Sequence, residues 1–66
     1  MNIICNGKPM ALAEGLSLEE LIRQLELNPD TVVAECDSRI VLREEYAALI
    51  LKEGADVELI RFVGGG

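Results

Sequence analysis

Val57-Glu58-Leu59-Ile60-Arg61-Phe62-Val63-Gly64-Gly65-Gly66 is the stretch whose reading decides the fold. From Val57 to Val63 it is dense in β-formers, with Val57, Leu59, Arg61 and Val63 alternating against Glu58, Ile60 and Phe62. Both sets carry bulky apolar groups, the pattern of a strand inside a sheet and not at its rim. Three glycines follow without a linker. Glycine has no Cβ and loses the most freedom on ordering, so residues 64–66 are expected to be a mobile tail beyond a domain of residues 1–63. A frayed end is the plainer reading of terminal glycines, but these follow a buried-type strand directly. A thread without side chains fits a narrow channel that any Cβ would obstruct. The stretch therefore reads as a central strand presenting a bare chain and its carboxylate to another protein.

Sixty-six residues, half of them apolar, make one domain near the lower size limit for independent folding. Such a chain buries only ~60% of its unfolded surface. Net stability on the order of 3–5 kcal/mol is expected. Twelve acidic residues against six basic ones give a net charge of −6. Nucleic acid and anionic membranes recruit Lys and Arg, so neither is an expected partner. A basic protein surface is the complement, while solubility alone accounts for many such carboxylates. No apolar run is long enough to cross a bilayer, and no signal-peptide pattern is present. Cys5 and Cys36 lack CxxC spacing and the chain has no histidine, so no metal site is expected. Reduced cysteines fit a cytoplasmic protein.

Met1 to Cys5 reads as a first strand, with Met1, Ile3 and Cys5 on one face. Asn6-Gly7 is a two-residue hairpin signal, because both positions of a type I′ turn need positive φ. Met10 to Ala13 is the return strand, and Pro9 at its start suits a sheet edge. Ser17 and Glu20 form the sequence signature of a capping box, with Leu16 and Leu21 at the positions of a hydrophobic staple. Leu18, Leu21, Ile22 and Leu25 make one apolar helical stripe, which Asn28-Pro29 is expected to end. Thr31 to Cys36 is a third strand, Asp37-Ser38 its turn, and Ile40-Val41 a short fourth. Arg43 to Ala47 reads as a helical turn with the Tyr46 ring at a core edge and its hydroxyl at the surface. Glu44 and Glu45 are adjacent on that turn and do not face each other, so they read as a solvated face rather than paired catalytic carboxylates.

Hairpin, helix, two short strands and a closing strand fit one α+β arrangement. Pairing the first and last strands in parallel at the centre gives a mixed sheet of order 2-1-5-3-4, with the main helix across one face: the ubiquitin-like β-grasp. In it the last strand separates Cys5 from Cys36 by two spacings, ~9–10 Å. A disulfide reaches ~7 Å, so both thiols are expected to stay free.

The chain resembles the ThiS family of thiamine-biosynthesis sulfur carriers over essentially its whole length. The likeness rests on Met1-Asn2-Ile3-Ile4 with Asn6-Gly7, Glu14-Gly15 before the capped helix, Ile40-Val41 with Arg43 and Tyr46, and above all Arg61 to Gly66. Two departures stand out: Leu42 replaces the family's usual proline before the arginine, and Ala55-Asp56 follows Gly54 where Gly-Asp is usual. The resemblance implies that the Gly66 carboxylate is adenylated with ATP by a ThiF-like adenylyltransferase. Sulfur from a persulfide donor then makes it a thiocarboxylate, which a ThiG-like thiazole synthase consumes. Gly64 and Gly65 thread into the partner. The chain itself has no phosphate-binding loop, basic cluster or metal ligands, so it is a co-substrate with no catalytic residues and no cofactor of its own.

Three glycines carry no identity, so partners must also grip the body. With the helix over Met1, Ile3, Val57 and Leu59, the residues Ile4, Val33, Ile60 and Phe62 face the open side as the expected docking surface with an acidic rim. Ordinary half-buried strand residues are the plainer reading of any one of them. Three other functions fit the same chain: a carrier for molybdopterin or another sulfur pathway, a ubiquitin-like protein modifier, and an interaction module with an idle tail.

Overall fold

The computed structural model describes residues 1–62. The expectations placed on Val63, Gly64, Gly65 and Gly66, including the domain boundary and the threading tail, concern residues outside those described. Strands β1 (Asn2–Cys5) and β2 (Lys8–Ala11) form a hairpin, followed by helix α1 (Leu18–Gln24), β3 (Val32–Cys36), β4 (Arg39–Val41) and β5 (Asp56–Arg61). The sheet order is β2-β1-β5-β3-β4, with β1 and β5 parallel and the other pairs antiparallel. This is the β-grasp order that the element sequence implies.

Each reversal has a local cause. Asn6 and Gly7 both take positive φ, 51° and 78°, which closes the β1–β2 hairpin as a type I′ turn. Pro9 lies inside β2 opposite Ile4, tolerated because β2 is an edge strand. Asp37 and Ser38 also take positive φ, without a glycine. Asp37 offsets that strain by binding the start of β5: its N–H donates to the Asp56 carbonyl at 2.8 Å, and its Oδ1 accepts from the Asp56 N–H at 3.0 Å.

Helix α1 begins as its sequence dictates. The Ser17 hydroxyl accepts from the Glu20 N–H at 3.1 Å, and Glu20 Oε1 accepts from the Ser17 N–H at 2.9 Å. Its end differs from the expectation. The helix stops at Gln24, before Pro29, because Glu26 adopts φ 62°. The Leu27 N–H then reaches back to the Ile22 carbonyl and the Glu26 N–H to that of Arg23, a Schellman closure. Pro29 instead opens a separate 3₁₀ turn, Pro29–Thr31, capped by Asn28 Oδ1 on the Asp30 N–H at 2.9 Å.

Leu18, Leu21 and Ile22 are fully buried against Ile3, Val57 and Leu59, so the helix covers one sheet face only. Burial of each such side chain contributes about 1.5–3 kcal/mol relative to exposure. Tyr46 corrects another expectation. Its hydroxyl does not reach the surface but donates to the Val32 carbonyl at 2.6 Å inside the protein, because a buried phenol needs a partner. Cys5 and Cys36 both stand opposite Val57, on its two sides, and both are free thiols.

Candidate functional site

Strand β5 is held unevenly along its length. Its register with β1 covers Asp56 and Val57 only, after which β1 turns away at Asn6. There Asn6 Oδ1 accepts from the Leu59 N–H at 2.8 Å, a side-chain substitute for the strand that has left. On the other side, β3 pairs with β5 from Cys36↔Val57 to Val32↔Arg61. One more bond continues that ladder: the Phe62 N–H donates to the Thr31 carbonyl at 2.9 Å. The end of β5 leading to the glycines is therefore bonded on its β3 side.

The register also maps the open face. Val33 stands opposite Ile60, and continuing the β3–β4 register by one residue sets Leu42 beside Val33. Ile40 opposes Glu35 one step along, and Phe62 follows Ile60 on the same side of β5. Phe62, Ile60, Val33, Leu42 and Ile40 thus form one apolar surface beside the exit of the chain. Four of the five are exposed, Phe62 by 61% and Ile40 by 70%, while Val33 is half-buried. Glu35, Glu58 and Asp56 border it. This explains the apolar character of β5 on both sides: one face is core, the other an uncovered patch.

Ile4 also lies on the open face, 37% exposed, but level with Asp56. Four residues of strand separate that level from Ile60, roughly 13 Å, with Glu58 between. The register sets Ile4 apart from Val33, Ile60 and Phe62. Ile40 and Leu42, which sequence reasoning did not place here, join them instead. Their signal was the order Ile40-Val41-Leu42, in which only the middle residue packs against the core.

Leu42, the departure from the family's proline, uses the amide that proline lacks: its N–H donates to Glu45 Oε1 at 3.1 Å. Arg43 reaches Asp30 with Nε at 2.9 Å and Glu19 with a terminal nitrogen at 3.1 Å, and its guanidinium lies 5.2 Å from the centre of the Tyr46 ring. No group of three or more metal-ligating residues occurs among the described residues. A groove of about 440 Å³ lined by Cys36, Asp37, Arg39, Ile40, Val41 and Glu45 reaches the opposite end of β3 from Thr31. Burial pushes both thiols up from their ordinary range, helped by Glu58 for Cys5 and by Asp37 and Asp56 for Cys36. Both remain protonated at neutral pH, which makes them poor nucleophiles. No helix of the described residues is long and apolar enough to cross a membrane.

The ThiS family model matches residues 3–66. A thiazole synthase of Magnetococcus marinus is 36% identical over 66 residues, which are all of this chain but 20% of that protein. The chain likewise spans a fifth of the thiazole synthase of Paramagnetospirillum magneticum, at 27% identity. The sulfur carrier protein ThiS of Escherichia coli is 30% identical over 66 residues, covering both chains entirely. The crystal structure of thiamine biosynthesis protein ThiS from Geobacter metallireducens matches with a TM-score of 0.85 and 36% identity, again over the whole of both chains.

Proposed function

The chain belongs to the ThiS family, and from that premise we propose that it is a cytoplasmic sulfur carrier of thiamine biosynthesis. The observation that carries this reading is the family match over residues 3–66, which takes in the three glycines together with the fold. A carboxylate is a poor acyl donor until one oxygen becomes a good leaving group. An adenylyltransferase supplies that by joining the Gly66 carboxylate to AMP from ATP, with pyrophosphate released. The terminal sulfur of a persulfide donor then attacks the acyl carbon and displaces AMP, leaving an acyl disulfide. A second thiol attacks the donor's sulfur, forms a disulfide with it and releases the thiocarboxylate, a softer, stronger nucleophile than the carboxylate it replaces. Thiazole synthase takes up that sulfur; a stretch like this chain within the thiazole synthase of Magnetococcus marinus supports the pairing. The chain acts throughout as co-substrate, and ATP belongs to the partner.

Within this reading Gly64 and Gly65 enter the partner's channel, while Phe62, Ile60 and Val33 dock on an apolar surface with a basic surround. Phe62 is the anchor: among the described residues it is the most exposed apolar residue of β5 and its flank and the one nearest the glycines. Phe62→Ala is expected to raise the KM for the carrier in adenylation by about tenfold, with the melting temperature unchanged. Gly65→Val is expected to abolish adenylation while leaving the fold intact. Wild-type turnover by both variants would overturn the docking and threading assignments.

A further inference from the structure

Residues Ile60 to Phe62 lie beyond the β1 register, and the last ladder bond among the described residues runs from the Phe62 N–H to the Thr31 carbonyl. Thr31 belongs to the turn Pro29–Thr31, so the position of Phe62 depends on that turn. Three separate devices fix it. Asn28 closes it from within: its Oδ1 accepts from the Asp30 N–H, and its carbonyl accepts from the Thr31 N–H at 2.9 Å and the Thr31 hydroxyl at 3.1 Å. Arg43, from a part of the chain thirteen residues on, holds Asp30 at 2.9 Å while also gripping Glu19 on α1. Tyr46, beneath the Arg43 guanidinium, holds the Val32 carbonyl at 2.6 Å, one residue beyond Thr31 and opposite Arg61.

We infer that Asp30, Arg43 and Tyr46 form a positioning clamp, which sets through Thr31 and Phe62 the point at which the chain leaves β5 toward its partner. The inference rests on the sulfur-carrier reading above. Among the described residues the Arg43 side chain bonds Asp30 and Glu19 and lies over the Tyr46 ring, none of which belongs to the apolar patch, so it acts on the reaction through the Asp30 turn. A carboxylate oxygen at the end of a glycine thread has to reach the α-phosphorus of ATP in line with the departing pyrophosphate, and small misplacements of a reacting group cost rate steeply. Docking on the patch is a separate event. The clamp therefore affects turnover and leaves carrier affinity alone, whereas Phe62 affects affinity.

The test is ATP–pyrophosphate exchange by the partner adenylyltransferase with the carrier as varied substrate. Arg43→Gln and Asp30→Asn are expected to lower kcat by about tenfold, with KM unchanged and the fold intact at the assay temperature. Asp30→Glu, which keeps the charge, is expected to retain most of the turnover. In the isolated protein, the same two variants are expected to speed amide exchange at Phe62 but not at Leu59, whose N–H is held by Asn6. Unchanged kcat in both variants, or unchanged exchange at Phe62, would overturn the clamp. Inactivity of the wild-type chain would instead overturn the carrier reading, with Phe62 exchange still deciding the clamp.

Discussion

Tyr46 is the only tyrosine of the chain, and its ring and hydroxyl answer to different neighbours. The ring fills the core edge below Arg43, while the hydroxyl satisfies the Val32 carbonyl. Tyr46→Phe removes a buried donor and keeps the ring, so stability is expected to fall by about 1–2 kcal/mol in urea unfolding; an unchanged midpoint would contradict the buried hydrogen bond. Such detail was only partly legible in the residues themselves. Asn6-Gly7 could be read because few residue pairs accept two positive φ values in succession. Asp37-Ser38 could be read as a turn, but its left-handed backbone and that of Glu26 could not, since neighbouring hydrogen bonds impose it on residues that do not prefer it. The hydroxyl of Tyr46 was placed wrongly for the same reason. Its acceptor lies fourteen residues away, beyond the reach of local pattern.

Elements whose signals are local were read correctly. The start of α1 follows from Ser17 and Glu20 alone, and the structure adds that Ser17 is itself buried and bridges to Ile50. Leu18 N–H and Leu51 N–H donate to the carbonyls of Leu49 and Leu16, so the segment after Tyr46 is laced to the helix start. Ser17→Ala is expected to cost about 1 kcal/mol, which for a domain of this size lowers the melting temperature by about 4–8 °C. A melting temperature equal to wild type would show that the cap is dispensable. The helix end was legible only as a limit. Pro29 forbade continuation, but the Schellman closure at Glu26 ended the helix first, with Leu27 folded back toward the core. Strand β5 was recognised from its two apolar faces. Only pairing partners could tell which face is core and which is open.

At the scale of the whole molecule, the sheet order followed from element order and from the need to bury β1 and β5 together. The proposed docking face followed less completely. Val33, Ile60 and Phe62 share a face by alternation, but neighbourhood across strands depends on register. The register brings Ile40 and Leu42 to the patch and leaves Ile4 beside Asp56. The resulting molecule has a division of labour. A helix-covered core supplies stability, while in the proposed function the open face and its acidic border address a partner. The central claim is that the glycines beyond β5 end in the group that carries sulfur. Intact-mass measurement of the protein isolated from its native cell, under non-reducing conditions and followed by fragmentation, tests that claim most directly. The account predicts a fraction of molecules in which one oxygen is replaced by sulfur, located at Gly66. Isopeptide attachment of Gly66 to lysines of other proteins, or a chain carrying no sulfur there during active thiamine synthesis, would contradict it.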